Sequence, residues 1–323
     1  MPPSALSLAF EVEMAMAHEP VLREELLEIL DPAPTSQVLD CTFGAGGHAK
    51  AVAARLGPRG SFTACDRDPI ARGYFEEFSR TASVPAEFLA GNFADVLHEL
   101  GRQRRRFTHI YLDLGLSSMQ VDTEERGFSY SYDAPLDMRM EPDLELTAAD
   151  ILNTWDEARL AWVFREYGEE RYARRIARSV IRRRERNPYS RTAELVDTVK
   201  EAIPTPARFG SRNPARRVFQ ALRIAVNDEL ESLRRALPEA ATLLRPGGVL
   251  AVISFHSLED RIVKEFFAAQ AHPCTCPPDF PVCVCGKEAT LEIITPKAVM
   301  PGTRELEANP RSSSARMRAA RKR

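Results

Sequence analysis

The stretch "VLDCTFGAGGHA", Val38–Ala49, decides the fold. Val38–Asp40 reads as a short strand, a turn crowded with glycine follows, and a helix begins at His48. Read as Gly44-x-Gly46-x-x-Ala49, the turn fits the alanine-ended dinucleotide fingerprint, whose glycines let backbone approach a ligand at a helix N-terminus. Strand, glycine turn and helix in that order belong to a doubly wound α/β sheet. Either a pyrophosphate or a different adenosine-bearing cofactor suits such a turn.

Outward from the turn the chain alternates short apolar strands with amphipathic helices. A helix is expected over His48–Leu56, a strand at Phe62–Cys65, a proline-opened helix at Pro69–Phe78, and strands at Glu87–Leu89 and His109–Asp113. This rhythm implies a parallel sheet with right-handed crossovers. It resumes with one helix through Val218–Leu237 and a strand at Gly247–Phe255. Before the turn, "EPVLREELLEIL" has helical apolar spacing ended by Asp31-Pro32. From about 123 to 213 the pattern is helical and polar, with Thr147 capping one helix and further helices at Trp155–Tyr167 and Glu170–Arg186. The expected organisation is therefore a disordered arm at 1–17, a discontinuous sheet domain at 18–122 and 214–323, and an inserted helical subdomain at 123–213.

Three further features bear on the cofactor. Asp66 ends the second strand, where a carboxylate accepts hydrogen bonds from ribose hydroxyls in NAD and S-adenosylmethionine sites alike. Asp40 stands just before the glycines, where a carboxylate repels a pyrophosphate but suits a ligand bearing an ammonium and a sulfonium. "GNF", Gly91–Phe93, and "DLGLSS", Asp113–Ser118, put two more loops at strand carboxyl ends, where ligands bind in open α/β sheets. Phe93 offers a flat face to adenine, or a core aromatic. These features favour S-adenosylmethionine. An NAD-dependent oxidoreductase is the alternative from the glycine turn alone.

The chain has 323 residues and a formal charge of −2, so its overall charge announces no nucleic-acid partner. The distribution says more: Arg171–Arg191 holds nine arginines and one acid, "RQRRR" spans Arg102–Arg106, and the tail from Arg311 has six basic residues and no acid. Such blocks suit a phosphate backbone, and equally a solvated helix face and a disordered tail. On the helix over Glu170–Arg186, Ala173, Ile176, Ala177, Val180 and Ile181 make one face, and Arg171, Arg174, Arg178 and Arg182 make another. A non-catalytic RNA-binding protein is the reading these arginines allow by themselves. No apolar run is long enough to span a bilayer, and Glu11 and Glu13 interrupt the N-terminal apolar stretch. Six cysteines in so long a chain are no disulfide framework, which points to reduced thiols in the cytoplasm.

Ten strings running in order from residue 18 to the C-terminus, among them "HEPVL", "FGAGGH", "DRDP", "LDLGLSSMQVD", "PLDMRM", "YGEERYARRIAR", "ISFHSLEDRIVK" and "NPRSSSARMRAA", make the chain resemble one bacterial family. That family, also called MraW or RsmH, methylates the N4 amine of a cytosine in 16S ribosomal RNA. The resemblance implies a class I Rossmann-like S-adenosylmethionine-dependent methyltransferase sheet with a helical insertion, acting on the small ribosomal subunit near the decoding site. Carried over by motif, the cofactor residues are Gly46, Gly47, His48, Asp66, Phe93, Asp113 and Gln120.

An exocyclic cytosine amine is a weak nucleophile and needs a hydrogen-bond acceptor as charge develops on it. Asp113 is the candidate acceptor, although the Pro-Pro-aromatic that follows this position in DNA amino-methyltransferases is absent. His256 in "SFHSLEDR", with Ser254 and Asp260, is a second catalytic candidate, the alternative being a helix N-cap; Asp137 is a further substrate-facing candidate. "CTCPPDFPVCVCG" holds Cys274, Cys276, Cys283 and Cys285, four thiols that suit a tetrahedral zinc site. The CxC spacing is tighter than the usual pairs and favours a loop of reduced cysteines. The sequence leaves the oligomeric state open.

Overall fold

Five parallel strands come first in the chain: β1 Gln37–Asp40, β2 Ser61–Asp66, β3 Ala86–Ala90, β4 Phe107–Asp113 and β5 Leu244–Ser254. Two more, β6 Leu291–Ile293 and β7 Arg316–Lys322, complete a seven-stranded sheet in the order β3-β2-β1-β4-β5-β7-β6. β7 lies antiparallel to both of its neighbours. The computed structural model describes residues 20–205, 213–276 and 284–323. The arm at 1–17, His18 and Cys283 lie outside them. This is the doubly wound sheet that the family resemblance implies.

The central strands are largely buried, and each carries an apolar run: Val38–Leu39 in β1, Ile110–Leu112 in β4 and Val249–Ile253 in β5. Helices Gly47–Ala53, Ile70–Thr81 and Phe93–Arg102 follow β1, β2 and β3. Phe43, Phe62, Phe75, Phe78 and Phe88 pack against one another with ring centroids 5.2 to 6.2 Å apart. Strand order reverses between β1 and β4, and a crevice opens at such a switch point beyond the strand carboxyl ends.

The chain divides into two compact units. One comprises residues up to Asp66, Ile70–Gly115 and Arg235–Arg323, and contains the sheet. The other, Arg67–Pro69 with Leu116–Arg234, is helical. Its helices Ala148–Thr154, Glu157–Glu166, Ala173–Arg184, Thr192–Ala202 and Arg216–Asn227 bury Ile151, Leu160, Phe164, Ile176, Val180, Leu195 and Leu222 in one core. Thr147 and Asp150 form a reciprocal capping box, which fixes where the first of these helices starts. Asn227 ties the core to an irregular segment, donating to the Met138 carbonyl at 2.7 Å and accepting from the Met140 amide at 2.8 Å.

Three expectations change. The helix expected through Val218–Leu237 is two, Arg216–Asn227 and Glu229–Leu243, separated by Asp228 at φ 50°. Apolar spacing runs on through the break, so periodicity does not reveal it. "GNF" leads directly into the helix Phe93–Arg102, because the Asn92 side chain caps it by accepting from the Ala94 amide at 2.9 Å. The disordered-tail reading of the basic C-terminus is overturned: β7 lies inside the sheet with Met317, Ala319 and Ala320 buried. Its charge is compensated from far away in the chain, Arg318 pairing with Asp260 at 2.6 Å and Arg316 with the same carboxylate at 3.4 Å.

Candidate active site

The glycine turn owes its shape to close packing. Gly44 and Gly46 have φ of 55° and 77°, in the left-handed region that a side chain strains. A Cβ on Gly46 would meet the Phe43 ring at 2.8 Å, and one on Gly47 would meet Pro20 at 2.6 Å. The Gly44 amide donates to Asp66 Oδ2 at 2.7 Å. The turn after β1 is thus fastened to the carboxylate that ends β2. The Gly91 amide donates to the Asp66 carbonyl at 2.8 Å, which ties in the loop carrying Phe93; that ring is half-buried on the first residue of its helix.

Beneath the turn, Asp40 is buried, 1% exposed. It accepts from the Thr42 amide at 3.0 Å and from the Tyr111 hydroxyl at 2.7 Å. Burial pushes its carboxyl up from 3.8 to about 7, against the lowering effect of those two bonds and of His48. At neutral pH Asp40 is therefore only partly ionised, and its repulsion of a pyrophosphate is weaker than the sequence suggests. Burial also raises the Tyr111 phenol well above its ordinary range.

His48 and Asp113 complete the site. His48 is on the first turn of Gly47–Ala53, buried, with its ring edge-on to Tyr111 at 6.2 Å. Its Nε2 lies 3.4 Å from Asp113 Oδ2, within ion-pair reach, but neither ring nitrogen has a hydrogen-bond partner among the described residues. Asp113 Oδ1 is also buried without one. Its backbone amide is held by the Thr42 hydroxyl at 2.6 Å, which fixes the end of β4 against the glycine turn. Buried polar atoms that lack partners are costly, and at the end of a strand they mark where a ligand completes the bonding. The residues present thus fit a cationic, adenosine-bearing ligand: glycine backbone, one carboxylate at the end of β2 and a second at the end of β4.

Gly46, Gly47, His48, Asp66 and Asp113 are brought together in the sheet-containing unit. Gln120 falls in the helical unit, where its amide donates to Asp68 Oδ2 at 2.9 Å, and the same carboxylate pairs with Arg126. Arg174, Arg178 and Arg182 are exposed on one face of Ala173–Arg184, opposite its buried face; Arg178 lies 3.6 Å from Glu157. His256 is the N-cap of the helix Ser257–Ala271, its Nδ1 accepting from the Glu259 amide at 3.4 Å and its Nε2 lying 3.2 Å from Glu259 Oε1. Asp260 holds β7, Ser254 donates to the Arg316 carbonyl at 3.2 Å, and Asp137 pairs with Arg139 at 2.7 Å. Sequence reasoning passed over Thr42 and Tyr111, one inside the quoted stretch and one inside an apolar strand, where nothing marks a polar group as part of a site.

The family model described as "MraW methylase family" matches residues 15–323. "Ribosomal RNA small subunit methyltransferase H" of Heliobacterium mobile is 50% identical over 316 residues, covering 96% of this chain and 100% of that protein. The protein of the same name from Heliobacterium modesticaldum is 49% identical over 312 residues, covering 96% and 99%. That from Symbiobacterium thermophilum is 49% identical over 309 residues, covering 95% and 96%. No helix among the described residues is long and apolar enough to cross a membrane.

Proposed function

Since the chain belongs to the MraW methylase family, we propose that it is an S-adenosylmethionine-dependent methyltransferase acting on the exocyclic N4 amine of a cytosine in 16S ribosomal RNA of the small subunit. Relatives about half identical over nearly the full chain carry the small-subunit ribosomal RNA methyltransferase name, which supports the substrate class. One observation in the site carries the chemistry. The carboxylate of Asp113 and the ring of His48 face each other at 3.4 Å, with buried atoms that have no hydrogen-bond partner, beside a glycine turn fastened to Asp66.

The assigned roles follow from that arrangement. Glycine backbone at Gly46 and Gly47 and the Asp66 carboxylate hold the methyl donor, Asp66 at the ribose. Phe93 stands by for the adenine. S-adenosylmethionine, when bound, supplies an electrophilic methyl on a sulfonium. Asp113 Oδ1 accepts a hydrogen bond from the cytosine amine, orients its nitrogen and stabilises the positive charge that develops there, with the surplus proton leaving through this contact. His48, with Nε2 3.4 Å from the other Asp113 oxygen, is a further cofactor residue beside it. The helical unit, with the face bearing Arg174, Arg178 and Arg182, is the RNA-recognition part, and Gln120 is carried over from the family motif as a further cofactor residue.

The test is transfer of labelled methyl to small subunits from a strain lacking this enzyme, followed by nucleoside analysis. Label recovered as N4-methylcytidine is expected. Recovery as 5-methylcytidine, or no label on RNA, overturns the assignment. Binding of S-adenosylmethionine without measurable binding of NAD excludes the oxidoreductase alternative.

A further inference from the structure

Outside this site, one cluster of ligand-type side chains stands out. Cys274, Cys276 and Cys285 bring their sulfurs within 4.8 Å of one another, and Cys285 Sγ lies 3.9 Å from Cys274 Sγ. A disulfide would bring that pair to about 2.05 Å. A tetrahedral zinc with bonds of about 2.3 Å to sulfur holds its sulfurs about 3.8 Å apart. The 3.9 Å spacing of that pair matches one edge of such a tetrahedron.

Two neighbouring features fit the same reading. The Val284 amide donates to Cys276 Sγ at 3.4 Å, and backbone N–H donors of this kind stabilise the negative charge of a metal-bound thiolate. The segment also leaves and rejoins the fold at one point. The Thr290 amide donates to the Gln270 carbonyl at 3.0 Å, and the Thr290 hydroxyl to Gln270 Oε1 at 2.5 Å. Between these anchors the sequence holds four prolines and four cysteines, and a metal held by thiolates supplies folding free energy that so short a segment cannot draw from a core of its own.

We infer that Cys274, Cys276 and Cys285 form a structural zinc-binding site that closes the loop between the helix Ser257–Ala271 and β6. This reverses the preference for unliganded cysteines drawn from the CxC spacing. The sequence provides one more thiol nearby, Cys283, outside the described residues. Binding deprotonates the three thiols and releases their protons to solvent.

The experiment compares the full chain with Cys274→Ser/Cys285→Ser, both purified under reducing conditions without chelator. Elemental analysis is expected to find about one zinc per chain in the first and less than roughly a tenth of that in the second. Cobalt loading of the unsubstituted chain is expected to give sulfur-to-metal charge transfer and tetrahedral ligand-field bands. Stripping the metal is expected to accelerate proteolysis of the loop, with unchanged circular dichroism showing that the sheet stays folded. Zinc below roughly half an equivalent in the unsubstituted chain, equal zinc in the double variant, or an intact mass short by one disulfide overturns the inference.

Discussion

Asp40→Asn isolates the charge buried beneath the glycine turn. The folded carboxyl sits at about 7 and the ordinary value is 3.8, so the folded chain holds this proton more tightly than the unfolded chain does. The resulting stability is fully present below the unfolded value and is lost as pH rises through the folded one. At about 1.4 kcal/mol per pH unit the whole window is worth about 4 kcal/mol, of which about 2 to 3 kcal/mol falls between pH 5 and 7. Asparagine has nearly the same shape: its oxygen still accepts from Thr42, and its amide donates to the Tyr111 oxygen once that hydroxyl turns away. What it removes is the titration.

Urea unfolding of both proteins from pH 5 to 8 measures this, and the informative quantity is the difference between the two stabilities. Groups not coupled to Asp40 titrate equally in both and cancel. The variant is expected to gain on the unsubstituted chain by about 2 to 3 kcal/mol from pH 5 to 7, then level off above pH 7. A difference that stays flat through the window refutes the argument that burial outweighs the Tyr111 and Thr42 hydrogen bonds at this carboxyl.

Asp113→Ala is expected to lower kcat for methyl transfer at least roughly 100-fold with the fold intact; full turnover at saturating methyl donor would remove Asp113 from the chemistry. Reversing Arg174, Arg178 and Arg182 to glutamate is expected to weaken small-subunit binding and reduce the slope of log affinity against log salt by about 2 to 3, at about 0.7 to 0.9 per phosphate contact. Affinity for S-adenosylmethionine should not change, and an unchanged subunit affinity rejects the arginine face as an RNA contact. Met317→Ala, at a fully buried position of β7, is expected to cost about 2 to 4 kcal/mol in urea unfolding. A cost near zero would return the C-terminus to the reading of a loosely held tail.

Legibility followed the range of the interactions. β1, β2 and β4 were readable because each carries a short apolar run that ends in an aspartate, Asp40, Asp66 or Asp113, and the glycine turn between β1 and its helix is local. β7 was not, since "RMRAARK" reads as a charged tail until Asp260, 58 residues earlier in the chain, takes up Arg318. The break at Asp228 was hidden for a related reason. One left-handed residue changes direction without disturbing apolar spacing, and the Arg223–Glu229 pair that spans it at 2.8 Å looks in sequence like any helical ion pair. In "SFHSLEDR" both readings of His256 were open, and the reciprocal bonds with Glu259 give it a capping role that explains its burial.

The site itself turned on the sign of charge at the turn, and here the structure moved the argument from one aspartate to another. Positive φ at Gly44 and Gly46, and the contacts with Phe43 and Pro20, demand glycine whichever cofactor is bound. Asp40, which appeared to choose between them, is buried and titrates near neutrality, so it is a weak source of repulsion. A phosphate-cradling turn needs its amides free to point at the anion. In this turn the Gly44 amide is committed to Asp66, and the end of β4 adds a second carboxylate, Asp113, in place of a donor. An anion would meet an occupied donor and two acids; a sulfonium with an ammonium meets complementary charge.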